Sequence, residues 1–465
     1  MTRYSIAGHA VVILTVAVGL SCRRPPTQGV SLTIWSHEAD EPAKVALREQ
    51  VAREVEKAHP GVRVKITWYE IDGLTTALKT ALPVGQGPDV FYIQSDQTDY
   101  IANGYVAPLD DLIEWHNIYE WARRAWMRDG KTWAVPQEVY TNELYYNKQL
   151  PAQLGFTLPA KAQFTQLQFL ELVSKARACG ITPIAQGVGD RDFPGAYVLT
   201  QGLLHKLGAE DYGKLFDGKL SFSDPRVVEV FKWVKSLVDA GAYPKNFMTM
   251  KLAESHYYFY QRPGALMLPM GSWYTGRAFV PADDGGQPAG FPLGIMQFPA
   301  MDGGACNECK TRAVGASFAI NAASPHKALA AEYLNLMSTP EIGKRWVETV
   351  YLQSAVKTDV NSIGGPYGAY FKELMERQLG AKYFTGDPSD IIHGQCLDTF
   401  TQVINSSFPG GLLSVERAIE LMNNSCYTEG SVAKDSASAA RGTTYAPARE
   451  SLTLQVGTHG GEHGK

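Results

Sequence analysis

Leu32-Thr-Ile-Trp35, Val62-Arg-Val-Lys-Ile-Thr-Trp68 and Asp89-Val-Phe-Tyr-Ile93 are apolar runs set apart by helical ones, and their reading decides the fold. Leu32–Trp35 reads as a buried strand. Asp40 stands where it can cap the helix that follows, with Pro42 tolerated in the first turn. Val45, Val51 and Val55 share one helical face, and Pro60-Gly61 stops the run. Val62, Val64, Ile66 and Trp68 then alternate with Arg63, Lys65, Thr67 and Tyr69, the period of a strand. A second helix is predicted over 73–82. Gly85-Gln-Gly-Pro88 introduces Asp89–Ile93, apolar on both faces, and a helix to Asn103-Gly104 completes the unit. Strands alternating with helices imply parallel pairing through crossover helices, an α/β fold class.

The pattern runs on well past this unit. The chain has 465 residues, which at about 150 per domain suggests two or three domains. Trp133-Ala-Val-Pro136 and Leu144-Tyr-Tyr146 flank a polar stretch, and helices are predicted around 164–179 and 225–240. Gly264–Leu268 reads as a buried strand that ends at Pro269-Met-Gly-Ser-Trp273. Residues 281–311, rich in Gly, Pro and Asp, read as loop. Ala316–Asn321 is predicted as a strand, Pro325–Ser338 as a helix, and helical patterns recur from about 367 to 425. The Ser-, Ala-, Gly- and Thr-rich segment 428–465 lacks the apolar surface to fold alone and reads as a disordered tail.

Composition narrows the function classes. With 43 Lys and Arg against 47 Asp and Glu, a net charge of −4 gives no basic stripe, so nucleic acid is excluded as a partner. The longest apolar run, Ala10–Leu20, is about half the roughly 20 residues that cross a bilayer. Behind Arg3 it has the anatomy of a secretory signal, residues 1–21. Cys22, directly after it, resembles the lipidated Cys of bacterial lipoprotein signals, although Gly19 stands where that signal favours Leu. That resemblance implies a membrane anchor with 22–30 as a tether; ordinary cleavage beside an incidental Cys is the alternative. The other cysteines, Cys179, Cys306, Cys309, Cys396 and Cys426, are odd in number, which leaves at least one thiol outside any internal disulfide. Cys306-Asn-Glu-Cys309 lies in a Gly-rich loop and reads as a local or structural disulfide. It lacks the strand-to-helix setting of a redox pair, and no second CxxC or His pair completes a metal site.

In chain order, His59-Pro-Gly-Val-Arg-Val64, Gly85-Gln-Gly-Pro-Asp-Val90, Leu144-Tyr-Tyr-Asn-Lys148 and Gly315-Ala-Ser-Phe-Ala-Ile-Asn-Ala-Ala-Ser-Pro325 resemble motifs of the extracellular solute-binding proteins of ABC importers, in the maltose-binding-protein-like sugar group. The resemblance implies a two-lobed periplasmic-binding-protein fold with a hinge and an inter-lobe ligand cleft. Lobe one is then 31–135 with 285–345, and lobe two 140–275 with 350–427. It further implies an exported, monomeric receptor that needs no cofactor or metal and hands a sugar or oligosaccharide to ABC permease subunits.

Ligands of such sheets sit beyond the strand ends. Those ends carry Ser36, His37 and Glu38; Gln94, Ser95 and Asp96; the segment Gln137, Glu138, Tyr140 and Thr141; and Ser272, Trp273 and Tyr274. A sugar needs flat aromatic faces for its CH groups and paired polar groups for its hydroxyls. By resemblance Trp273 stacks on a ring, while Glu38, Ser95 or Asp96, and Tyr140 meet hydroxyls; Asp96 alternatively caps a helix. Tyr140 replaces a position often acidic in maltose binders, so maltose itself is not implied. Trp35 and Trp68 read as core, Tyr145-Tyr146 as packing or hinge, and Pro88-Asp89 as turn-forming. Gly208-Ala-Glu-Asp-Tyr-Gly-Lys-Leu215 nearly spells a phosphate loop, but Leu215 replaces the Ser or Thr and Glu210-Asp211 would repel phosphate. Alternatives are a receptor for a solute such as glycerol phosphate, for which these strand ends lack Arg or Lys, a secreted carbohydrate-active enzyme using Glu38 and Asp96, and an exported interaction protein.

Overall fold

The strand β1 (Ser31–Ser36) buries Leu32, Ile34 and Ser36 on one face and leaves Thr33 and Trp35 half-covered on the other. That alternation seats α1 (Pro42–Ala58) through Leu47, Val51, Ala52 and Val55. β2 (Arg63–Trp68) pairs parallel with β1 as an edge strand, its exposed Arg63 and Lys65 guarding the free backbone. After α2 (Ile71–Ala81) comes β3 (Val90–Ile93), buried throughout and also parallel to β1. The computed structural model describes residues 29–427 except 40, 96, 160, 191–192, 262–263, 380–383, 386 and 393. The expected signal 1–21, Cys22 with most of its tether, Asp40, Asp96 and the tail 428–465 lie outside the described residues.

Beyond β3 the pairing is mixed: Thr182–Ile184 with Ala265–Gly271 and Phe384–Thr385 with Lys310–Val314 are still parallel, but the central pairs are antiparallel. The first sheet runs Arg63–Trp68, Ser31–Ser36, Val90–Ile93, Ser317–Ile320, Val135–Pro136, and Ser317–Ile320 is antiparallel to both its neighbours. The second sheet is built on the long strand Glu138–Asn147, which takes Ala265–Gly271 on one edge and Lys310–Val314 on the other, both antiparallel. Leu293–Met296 and Gln353–Ser354 pair with the same long strand. Helices around each sheet enclose separate apolar cores, and an aromatic cluster about Tyr145, Tyr274, Phe279 and Phe371 packs beside the second.

Several expectations are corrected here. The segment 281–311 is not all loop, because Leu293–Met296 is a strand whose Gly294 lets the Tyr146 ring lie flat on the backbone; a Cβ there would sit 2.3 Å from the ring. Met296, Phe298, Met301 and Cys309 accordingly pack in the second core, although 285–345 was expected in lobe one. Trp346, Val350, Leu352 and Ala355 pack in the first core, although 350–427 was expected in lobe two. Trp35 and Trp68 are half-buried rather than core, since they face away from Leu32 and Ile34 or lie on the edge strand. Tyr197–Phe216 is a helix without a sequence signal, buried nearly all round in its first half and kinked at Gly208 (φ 73°). The phosphate-loop lookalike is the second half of this helix, with Lys214 held by Glu210 and Asp211 at 2.8 and 3.0 Å.

The motifs around Asp89 and Asn321 turn out to be one construction. The Asp89 carboxylate accepts the Thr33 amide (2.7 Å), the Thr33 hydroxyl (2.9 Å) and the Ser324 hydroxyl (2.6 Å). Asn321 donates its side-chain amide to the Pro88 carbonyl at 3.0 Å. Burial would raise the Asp89 pKa, but the bonds from Ser324 and Thr33 outweigh it and hold the carboxyl below its ordinary value. Cystines join Cys306 to Cys309 and Cys396 to Cys426, and the odd thiol is Cys179, which is exposed.

Replacing Asp89 by Ala is expected to cost roughly 2–4 kcal/mol in urea unfolding, since it strands buried donors. A depressed native pKa gives stability present above the unfolded carboxylate pKa and lost as pH falls through the native one; the variant should lack that part of the acid limb. Removing the Cys396–Cys426 bond, whose partners lie 30 residues apart, should lower stability by roughly 3–4 kcal/mol, read as a fall in Tm of the Cys396→Ala/Cys426→Ala variant.

Candidate functional site

The chain passes from sheet to sheet at places that lie side by side. Gln137 joins Val135–Pro136 of the first sheet to Glu138–Asn147 of the second. Gly315-Ala316 joins Lys310–Val314 of the second to Ser317–Ile320 of the first. Gln353–Ser354 pairs with Val139 and Glu138, and the chain then returns as Val356 bridges Ile118. Backbone hydrogen bonds lace these crossings together: Gln137 N to Ala316 O at 2.9 Å, Gly315 N to Glu138 O at 2.8 Å, and Ala355 N to Gln137 O at 3.0 Å. Just before the last crossing, Trp346–Val350 forms a wide helical turn that ends at Tyr351 in left-handed backbone (φ 60°). Such a turn and such a residue mark a strained segment.

On the lobe-one side, the loop after β1 turns inward. Glu38 adopts left-handed backbone (φ 55°) and is 1% exposed. Its carboxylate takes the Arg48 Nε at 2.8 Å and the Ser36 hydroxyl at 3.2 Å, with Lys44 Nζ at 3.3 Å. Lys44 also reaches Glu138 and Glu41, each at 3.0 Å, and Arg48 donates to the Gln137 side-chain oxygen. The Arg48 guanidinium lies 4.3 Å from the Phe318 ring centroid. Burial would raise the Glu38 pKa, but the adjacent Arg48 and Lys44 charges hold it far below the usual range. Burial dominates at Glu138 and raises its carboxyl despite Lys44. His37 packs edge-on to Tyr92 at 4.2 Å, and burial lowers its pKa, keeping the ring neutral at neutral pH.

On the lobe-two side, the strand Ala265–Gly271 delivers Trp273. The indole folds back over Gly271, where a Cβ would sit 2.1 Å from Nε1. Ser272 anchors the turn, its hydroxyl accepting Thr141 N at 3.1 Å and the Gln353 amide at 3.0 Å. Trp273 is half-buried and packs against both the lobe-one core and the aromatic cluster. His256 lies 5.8 Å from it, fully enclosed, with neither ring nitrogen hydrogen-bonded. Burial, reinforced by the nearby Arg277 charge, pushes its pKa well below normal, so the ring is neutral.

The residues expected at the site therefore divide. His37, Ser95, Tyr140 and Trp273 are partly exposed, whereas Ser36, Glu38, Gln137, Thr141 and Tyr274 are buried. Glu38 and Gln137 belong to the ion cluster, and Glu38, paired with Arg48 and Lys44, is not a free acid or base. Thr141 donates to Glu143 at 2.7 Å and accepts from Gln378 at 2.9 Å. Tyr274 is core, 4.8 Å from Tyr145 between ring centroids. Sequence reasoning missed Lys44, Arg48 and His256. The signal was present for the cations, which fall on the apolar face of α1, where lone charges do not belong. What remains partly exposed among the expected and described residues is aromatic surface, with the Tyr140, Ser95 and His37 polar groups.

A sequence profile described as bacterial extracellular solute-binding protein matches residues 38–344. The "Multiple sugar-binding protein" of Streptococcus mutans serotype c is 24% identical over 324 residues, 67% of this chain and 72% of that one. Among solved structures, a "Chitin oligosaccharide binding protein" superposes with a TM-score of 0.73 at 23% identity, covering 85% of this chain and 98% of the other. RafE in complex with raffinose gives 0.65 at 19% identity, covering 85% and 99%. At these identities the superpositions establish the two-lobed fold, and the profile, spanning more than half the chain, establishes the family. The chain belongs to the bacterial extracellular solute-binding proteins.

Proposed function

We propose that this protein is a non-enzymatic, extracytoplasmic receptor that closes two lobes on a neutral sugar or oligosaccharide and delivers it to the permease of an ABC importer. Trp273 carries the reading. It is a partly exposed indole at a strand end, beside the hinge, set close over Gly271, and an exposed part of an indole is a surface on which a sugar ring can stack. Relatives named for binding multiple sugars, chitin oligosaccharide and raffinose support a carbohydrate as the ligand class. His37, Ser95 and Tyr140, partly exposed at or near these strand ends, supply groups for hydroxyls.

The charge arrangement favours a neutral ligand over a phosphorylated one. Lys44 and Arg48, the cations beside the β1 loop, are buried and spent on Glu38, Glu41 and Glu138, and an anion would find neither free to pair. Glu38 is likewise engaged, which speaks against glycoside hydrolysis by a Glu38–Asp96 pair. Among the described residues no helix is long and apolar enough to cross a membrane. The reading further takes a lipid on Cys22, whose place directly after the apolar run resembles a lipoprotein signal, to hold the receptor at the cell surface, where it acts as a monomer on its permease.

A thermal-shift screen over mono-, di- and oligosaccharides tests the reading: a bound sugar raises Tm once its concentration exceeds Kd. Trp273→Ala should leave the apo protein folded and weaken binding by about 1.5–3 kcal/mol, the worth of a buried aromatic face; wild-type affinity in that variant would place the site elsewhere. Gly271→Ala should push the indole off its seat, weakening the same sugar and changing tryptophan fluorescence, while a variant that binds normally would show the seat to be irrelevant.

A further inference from the structure

Lys44 and Arg48 stand one helical turn apart on the buried face of α1, at 4% and 0% exposure. Fully buried cations are rare unless paired, and a well-packed apolar pair in their place would serve stability as well or better. Their partners come from distinct parts of the chain. Glu38 lies in the loop that ends β1, between Ser36–His37 and α1; Gln137 and Glu138 are the crossing from the first sheet to the second. Lys44 touches both Glu38 (3.3 Å) and Glu138 (3.0 Å), and Arg48 touches both Glu38 (2.8 Å) and Gln137. Each cation thus spans the same gap. The floor is closed as well: a Cβ on Gly315 would meet the Glu138 side chain at 3.0–3.1 Å, and Trp346 and Phe318 cover the Arg48 guanidinium at 5.3 and 4.3 Å.

We propose that Lys44 and Arg48 are positioning residues for ligand capture, clamping the β1 loop to the first hinge crossing so that this crossing moves as part of lobe one. The lobes then rotate about backbone beyond Glu138 and keep a defined open posture until ligand closes them. The effect on affinity rests on the receptor reading above; the effect on lobe posture does not. If the clamp is cut, the hinge crossing is free to choose among orientations. The closed state then competes with more alternatives, and apparent affinity falls by the fraction lost.

The exposed Cys179 on lobe two offers a native labelling site. Paired with a Lys57→Cys substitution on the exposed end of α1, in full-length protein carrying Cys22→Ser, it reports the lobe-to-lobe distance by spin-label pulsed resonance. The test variant is Lys44→Met/Glu138→Gln, which removes a cation and a carboxylate together, leaves Glu38 paired with Arg48, and leaves Glu41 with its 16% exposed side chain reaching water. We expect a broadened or shifted distance distribution without ligand, and at least tenfold weaker binding of whichever of raffinose or a chitin oligosaccharide the parent protein binds. Gln137→Leu cuts the clamp from the Arg48 side while Arg48 keeps Glu38, and carries the same expectation should the double variant fail to fold. A folded variant of either kind with the parent distance distribution overturns the proposal. Failure of the parent to bind any sugar overturns the receptor reading instead, and leaves the distance result standing as the test of the clamp.

Discussion

Everything in this molecule hangs on a patch where Glu138 accepts the Gly315 amide and, with Gln137, gives its own amide to Ala316. Buried backbone groups must find partners, and here strands belonging to different sheets find them in one another. The chain can therefore leave one lobe and enter the other without exposing or orphaning its amides. The cost is steric. Gly315 leaves a Cβ only 3.0–3.1 Å from the Glu138 side chain, and Tyr351 is held in left-handed backbone where the last crossing begins. A joint of this kind is stiff along the strands and permits rotation about them, the condition for hinge closure.

The electrostatics follow the same plan. Charge is concentrated in enclosed clusters, Glu38–Arg48–Lys44–Glu138 in one lobe and Glu143–Lys310 (2.8 Å) in the other. These charges are largely paired with one another inside the protein rather than left for a ligand to pair. On the proposed reading, affinity rests on stacking and on hydroxyls exchanging water for protein partners. That division of labour fits a receptor which must release its cargo as well as hold it.

Much of the fold was legible because local rules and tertiary structure agree. The first unit, from Leu32 to Ile93, shows period two and period 3.6 in clean succession, and the parallel pairing of β1 with β2 and β3 follows. Where they disagree, the reading went astray. Gly294 looks like a loop residue, yet it is a strand glycine demanded by the Tyr146 ring. Tyr197–Phe216 is buried on too many sides to show an amphipathic period. At the candidate site, burial was not legible: Tyr274 and Trp273 are neighbours of similar character, yet Tyr274 is in the core and Trp273 is partly exposed. Lys44 and Arg48 were hidden by the habit of assigning charges to solvent, when their place on the Leu47–Val51–Val55 face pointed inward.

The two halves of the proposed site reach the hinge by different means, and the contrast bears on how the lobes communicate. In lobe two the Trp273 turn is fixed by Ser272, whose hydroxyl accepts from the Thr141 backbone and from Gln353, both on strands of the crossing region. In lobe one the β1 loop is fixed by ions, through Glu38 to Lys44 and Arg48 and so to Gln137 and Glu138. Thr141 and Glu138 lie on the same strand, so a few residues of backbone carry both attachments. On the proposed reading, a ligand held by Trp273 and the β1 loop together acts on that one strand through both attachments. Rigid-body closure needs no longer path than this, because each contact surface is already tethered to the element about which the lobes turn.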